Sequence, residues 1–142
     1  MTDIQFKNGP LEENVRNKIL AGFTQYGLQQ RGIDGDNTQS APESFEAWDG
    51  DTFAGAAVGK VFWGQLHVKW LYVEESYRSS GIASQLMAKL ENCAREQKCT
   101  FMFVETLSFQ ALHFYKKIGF KEDFSRQGYT QSISFHYLSK YI

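Results

Sequence analysis

The chain has 142 residues, with 15 Lys and Arg against 16 Asp and Glu and a net charge of −1. That length predicts one domain over residues 1–142, with core enough to fold without metal or disulfide staples. Hydrophobic residues at 42% and charged residues at 22% exclude a disordered chain, and the balanced charge offers no broad attractive field to nucleic acid.

Ile4–Lys7 reads as a short first strand. Val15, Ile19, Leu20, Phe23 and Tyr26 recur at helical spacing, so Leu11–Gly27 is expected as a helix, with Pro10 suiting its start and Gly27 its end. Leu28–Glu43 is rich in glycine and polar residues and is expected as a long loop, functional or mobile. Ser44–Trp48 and Thr52–Trp63 are predicted strands joined by a hairpin at Asp49-Gly50-Asp51. After a turn at Gly64, Leu66–Val73 completes an antiparallel meander. Its Trp-Leu-Tyr-Val end is apolar on both faces, which predicts a central position.

Then the period changes. Glu74–Ser80 is polar, and from Gly81 the residues Ile82, Leu86, Met87, Leu90 and Ala94 follow helical spacing. Thr100–Glu105 has high strand propensity, so a parallel βαβ crossover is expected. Phe109–Ile118 is predicted as a second short helix stopped by Gly119. Phe120–Phe124 and Ile133–Leu138 are the final strands.

No apolar run approaches ~18 residues, so no membrane helix is expected. The polar start MTDIQFKNG lacks a signal-peptide apolar region. Cys93 and Cys99 are then expected as free packing thiols in a reducing cytoplasm. Three further patterns fail on their chemistry. Ala54–Val61 ends in Gly59-Lys60 like a phosphate loop, but Val61 replaces the magnesium-binding Ser or Thr and no helix follows. Asp34, Asp36 and Asn37 hint at a calcium loop, but Gln39 and Phe45 stand where it needs Gly and Glu. His67, His113 and His136 lie on three elements without close ligand spacing, so no metal site is expected.

The informative block is Arg78-Ser79-Ser80-Gly81-Ile82-Ala83, between an apolar strand and an amphipathic helix. A strand-to-helix turn leaves unpaired N–H donors at the helix start, suited to a pyrophosphate. About thirty residues on comes Gln110-Ala111-Leu112-His113-Phe114-Tyr115-Lys116-Lys117-Ile118-Gly119-Phe120. Together the two blocks resemble the GNAT superfamily of acetyl-coenzyme A-dependent N-acetyltransferases. They are similar to its Gln/Arg-x-x-Gly-x-Gly/Ala loop and its Ala-x-x-Phe-Tyr-x-x-x-Gly-Phe segment. Thr106-Leu107-Ser108-Phe109-Gln110-Ala111 resembles a stretch of short bacterial members. The motifs occupy Leu66–Phe120, and the order of elements matches over nearly the whole chain.

The resemblance implies an α/β (α+β) fold with a mixed, mostly antiparallel central sheet of about six to seven strands, a parallel βαβ unit and flanking helices. It implies direct transfer of acetyl from acetyl-CoA to a primary amine, with acetyl-CoA as cosubstrate and no metal. The pyrophosphate would sit on Arg78, Ser79, Ser80, Gly81, Ile82, Ala83 and Ser84. The pantetheine would run along Leu71, Tyr72 and Val73, in a gap between that strand and Thr100–Glu105. A backbone N–H near Leu71 would polarise the thioester carbonyl.

Tyr115 matches the tyrosine that protonates or stabilises the leaving thiolate. An amine of pKa ~10.4 is protonated at neutral pH, so a base is useful. Glu105 is the first candidate, His67 the second, where certain relatives carry Glu, and a water chain the third. The acceptor is left open between small molecule, peptide and protein. Asp34, Asp36 and Glu43 would favour a cationic amine if they faced the pocket. A homodimer is left open, and no nucleic-acid or membrane partner is expected. A coenzyme A-binding module without turnover is the alternative from a different class. A nucleotide-binding regulatory domain is a third, weakened by the lack of a second glycine.

Overall fold

A computed structural model of the protein describes residues 3–31 and 41–142. The chain divides into two compact units, Met1–Thr38 and Gln39–Ile142. In the first, helix α1 spans Glu13–Arg31. It starts two residues later than expected and runs four residues past Gly27. Gly27 is not left-handed, so it interrupts no turn, and Arg31 places a positive charge at the end of the helix, where the dipole favours it. The expected strand Ile4–Lys7 does not form. A strand needs a ladder to take its N–H and C=O groups, and the sheet contains no member from this stretch. The loop candidates Asp34, Asp36, Asn37 and Gln39 lie outside the described residues.

The second unit is built on a six-stranded sheet in the order β1-β2-β3-β4-β6-β5. The strands are β1 (Glu43–Asp49), β2 (Thr52–Phe62), β3 (Gln65–Val73), β4 (Phe101–Leu107), β5 (Lys121–Arg126) and β6 (Phe135–Tyr141). The β1–β2 hairpin turns at left-handed Gly50, and β2–β3 turns at Trp63 and Gly64, both of positive φ. That turn matches the twist of the flanking strands. Ala54–Val61 is plain strand. A Cβ on Gly59 would lie 2.8 Å from Leu66 and 3.2 Å from Leu90, so the small residues admit neighbouring side chains.

Helix α2 (Ile82–Glu96) crosses from β3 to β4 and makes that pair parallel, while every other pair is antiparallel. Its apolar stripe Leu86, Met87, Leu90 and Ala94 is buried against the sheet. Leu66, Leu90, Met102 and Leu138 are the largest fully buried side chains. Truncating Leu90 to Ala in such a core costs about 2–5 kcal/mol. Cys93 is half-buried and Cys99 buried; burial pushes both thiols up, away from the reactive thiolate.

Helix α3 is shorter than expected, Leu112–Lys117. Residues 108–111 form a turn instead, because Leu107 N–H donates to Gln110 Oε1 at 2.9 Å and Ala111 N–H to Thr106 Oγ1 at 3.3 Å. Gly119 ends the helix with φ +103. Phe120 is buried at that joint, and β5 follows it. β6 starts after a 3₁₀ turn at Thr130–Ser132 and runs to Tyr141, beyond the expected Leu138, because β4 pairs it as far as Phe101.

Candidate active site

β3 and β4 are hydrogen-bonded partners only at Gln65–Phe101, Leu66–Met102 and His67–Phe103. Beyond His67 the two strands part. The Trp-Leu-Tyr-Val end of β3 is interior by strand order, yet it borders this opening, and Trp70 is 71% exposed. Its apolar character reflects a gap, not two covered faces.

A cleft of about 300 Å³ fills the opening. Leu71 and Tyr72 line it from β3, Glu105 and Thr106 from β4, and Tyr115 from α3. Val73, the next residue along β3, lines a second cavity of about 490 Å³. That cavity is walled by Arg78, Ser79, Gly81, Ile82, Ala83 and Ser84 at the start of α2, so the two spaces follow one another along the strand.

Local backbone explains the second cavity. Ser79 (φ +62) and Gly81 (φ +87) are both left-handed, which curls the loop into the helix. The first helical bond runs from Gln85 N–H to Gly81 O at 3.1 Å, and no side chain caps the start. The N–H groups of Ile82, Ala83 and Ser84 therefore have no helical acceptor. A Cβ on Gly81 would meet nothing of the protein nearer than Gln85 at 3.9 Å. Gly81 is thus required by its φ rather than by crowding from the protein.

Ser80 does not line the cavity. Its hydroxyl donates to Tyr77 O and braces the loop. Arg78 Nε donates to Val73 O at 3.0 Å, tying the loop to the strand end, and its guanidinium lies 6.0 Å from the Tyr72 ring. Tyr77 Oη donates to Asp49 at 2.6 Å, which fastens the loop to the β1–β2 hairpin. Four lining residues lie outside the predicted site: Tyr77 in the loop before α2, and His113, Phe114 and Lys117 of α3. His113 and Lys117 are spaced i, i+4 on one helix face, a signal that was available in the motif segment.

Of the three predicted catalytic residues, Glu105 and Tyr115 line one cleft, and His67 is bonded to Glu105. His67 and Glu105 are hydrogen-bonded across the opening, His67 Nε2 to Glu105 Oε1 at 2.8 Å. Burial, opposed by the Glu105 carboxylate, lowers the His67 pKa below its ordinary value. Tyr115 is 5% exposed, and burial pushes its phenol up to about 12. His113 and His136 stand apart on α3 and β6, and no cluster of three metal-ligating side chains occurs among the described residues. Glu43 is on edge strand β1, held by Gln97 at 3.0 Å, and does not line the cleft. No helix among the described residues is long and apolar enough to cross a membrane.

The family model of the acetyltransferase (GNAT) family matches residues 13–120. The chain is 41% identical over 88 residues to blasticidin-S acetyltransferase of Streptomyces morookaense, covering 61% of this chain and 65% of that protein. It is 36% identical over 72 residues to an acetyltransferase of Agrobacterium fabrum, covering 51% of this chain and 53% of that protein. Both matches span less than two thirds of the relatives' own length. The crystal structure of an acetyltransferase from Bacillus cereus matches with a TM-score of 0.78 and 27% identity, over 98% of each chain. A GNAT family acetyltransferase of Elizabethkingia anophelis, solved with acetyl-CoA bound, shares the fold at a TM-score of 0.61 and 18% identity, over 75% of this chain and 80% of that one. A split sheet, an uncapped helix start beside it and a family match across 108 consecutive residues converge, and the chain belongs to the GNAT acetyltransferase family.

Proposed function

We propose that this protein transfers an acetyl group from acetyl-CoA to a primary amine. The observation that carries the reading is the β3–β4 opening, which holds Glu105 and Tyr115 in one cleft and leads along β3 to an uncapped helix start. The blasticidin-S acetyltransferase relative supports a small-molecule acceptor. A thioester supplies the acetyl group; the protein's own residues position it and move the protons.

The residues present fit coenzyme A. Free N–H groups of Ile82, Ala83 and Ser84, with Arg78 and Lys117 beside the same cavity, meet a pyrophosphate. The edge of β3 from Val68 to Val73 has no strand partner on the β4 side, so it accepts an extended pantetheine. A backbone N–H at Leu71 polarises the carbonyl of the thioester.

Glu105 takes the proton of the attacking amine. A carboxylate only accepts hydrogen bonds, so His67 Nε2 carries the proton of their bond. His67 then acts as the positioning residue that fixes the Glu105 rotamer. Tyr115 keeps its proton at neutral pH, since its pKa is about 12. A thiolate whose thiol has an ordinary pKa of ~8.5 takes that proton only uphill. Donating a hydrogen bond to the departing thiolate is therefore the role this phenol fits.

Calorimetric titration with acetyl-CoA, followed by thiol release in the presence of a panel of primary amines, tests the reading. Binding with a 1:1 stoichiometry and amine-dependent thiol release are expected. Binding without release for any amine overturns the enzymatic reading in favour of a coenzyme A-binding module.

A further inference from the structure

The face of the sheet that carries Glu105 also carries a row of rings. His67 stacks on Phe103 with centroids 4.3 Å apart and planes 3° apart. Phe103 stacks on Tyr137 at 5.2 Å and 22°, and Tyr137 on Phe124 at 5.3 Å and 11°. One ring comes from each of β3, β4, β6 and β5, so the row crosses four strands. Glu105 faces Tyr137 directly in the β4–β6 register, and Tyr137 faces Phe124 in the β5–β6 register. Asp123 sits in the bulge of β5 beside Phe124. Burial first, then the Asp123 and Glu105 carboxylates, raise the Tyr137 pKa.

On the proposed reading, base and leaving-group donor lie on opposite sides of the sheet opening. Tyr115 reaches it from α3, and Glu105 shares its face with His67 and Phe103. The amine therefore approaches over the ring row. Side chains stand off a sheet, so stacked rings turn their edges outward. Ring edges carry the positive side of the quadrupole and take the π face of a flat group laid across them. Glu105 and Asp123 lie on either side of Tyr137, about two strand spacings or ~10 Å apart across the sheet. They complement two positive charges, one of which is the reacting amine.

We propose that the row Phe103–Tyr137–Phe124, flanked by Glu105 and Asp123, is the acceptor subsite, and that it selects a primary amine on a flat aromatic scaffold bearing a second positive charge. This rests on the acetyltransferase reading and adds the class of acceptor to it. Phe103 and Tyr137 carry the scaffold by edge-to-face contact. Asp123 pairs with the distal cation.

Three probe amines test it: 4-amidinobenzylamine (flat, second cation), benzylamine (flat, no second charge) and 1,5-diaminopentane (second cation, not flat). The expected kcat/KM for the first exceeds each of the others by about tenfold or more. Asp123→Asn should remove the advantage over benzylamine. Tyr137→Leu should remove the advantage over the aliphatic diamine. Both changes should act through KM, with acetyl-CoA affinity by calorimetry unchanged, and Tyr137→Phe, which keeps the ring, should retain the preference for the flat scaffold. If amines are acetylated with no such ranking, or if the variants lower all three alike, the subsite is wrong and the acetyltransferase reading stands. If no amine is acetylated by the unaltered protein, the reading and the subsite fall together.

Discussion

His67 Nε2 lies 2.8 Å from Glu105 Oε1, so the two residues that compete for the role of base are one hydrogen-bonded pair. The pair bridges β3 and β4 where their ladder stops at His67–Phe103. With Nε2 as the donor in this bond, the Glu105 carboxylate keeps further lone pairs with which to accept a proton.

Glu105→Gln should therefore lower kcat/KM by about 10²–10⁴-fold, the range of a lost general base. His67→Gln keeps a donor for the carboxylate and should lose about tenfold or less. Steady-state rates with one amine decide between them. Equal and large losses in both variants would mean that the imidazole is a base in its own right.

The lowered pKa of His67 sets a pH dependence. The unfolded chain binds this proton near pH 6.5, while the folded protein binds it only at lower pH. Stability is therefore lost as pH falls below about 6.5 toward the folded value, and kept above it. Tm measured from pH 8 to pH 5 should fall less in His67→Gln than in the unaltered protein.

Tyr115→Phe removes the hydroxyl and keeps the buried ring. A fall in kcat of about 10- to 1000-fold is expected, with acetyl-CoA affinity little changed. With a phenol near 12, no alkaline decline from Tyr115 should appear below about pH 10. A kcat equal to that of the unaltered protein would assign Tyr115 to packing against Phe114 and Phe120.

Lys117→Ala should weaken acetyl-CoA binding about tenfold, since it removes a cation from the cavity at the start of α2. The loss should shrink as salt is raised. Calorimetry at two ionic strengths reads both effects.

Gly81→Ala forces a Cβ into a left-handed residue at φ +87. The strain is about 1–2 kcal/mol, a fall in Tm of about 3–8 °C for a domain of this size. Gly81→Glu adds charge at the helix start and should abolish acetyl-CoA binding while the circular dichroism spectrum of the fold persists. Unchanged affinity in folded Gly81→Glu would move the pyrophosphate elsewhere.

The sequence by itself determined the second unit's strands and crossover helix, because local chemistry is enough there. Asp49-Gly50-Asp51 and Trp63-Gly64 specify tight turns, and Leu86, Met87, Leu90 and Ala94 specify a buried helix face. The turn into α2 was legible for the same reason: Gly81 before an amphipathic run marks a left-handed helix start. Edges of elements were less legible. Gln110 and Thr106 divert the backbone donors of Leu107 and Ala111 into a turn that delays α3, and Ile4–Lys7 carries strand propensity without a ladder to join. What only the tertiary structure decided is which distant side chains meet. Residues 67 and 105 are 38 positions apart in sequence, and Glu105, Tyr137 and Phe124 become neighbours only through the β4-β6-β5 order. Parallel pairing of β3 with β4 sets His67 beside Phe103, and the early end of that pairing opens the cleft. Register between strands is fixed by the whole buried face rather than by any one segment, so no local pattern could reveal that two candidate bases share a single hydrogen bond.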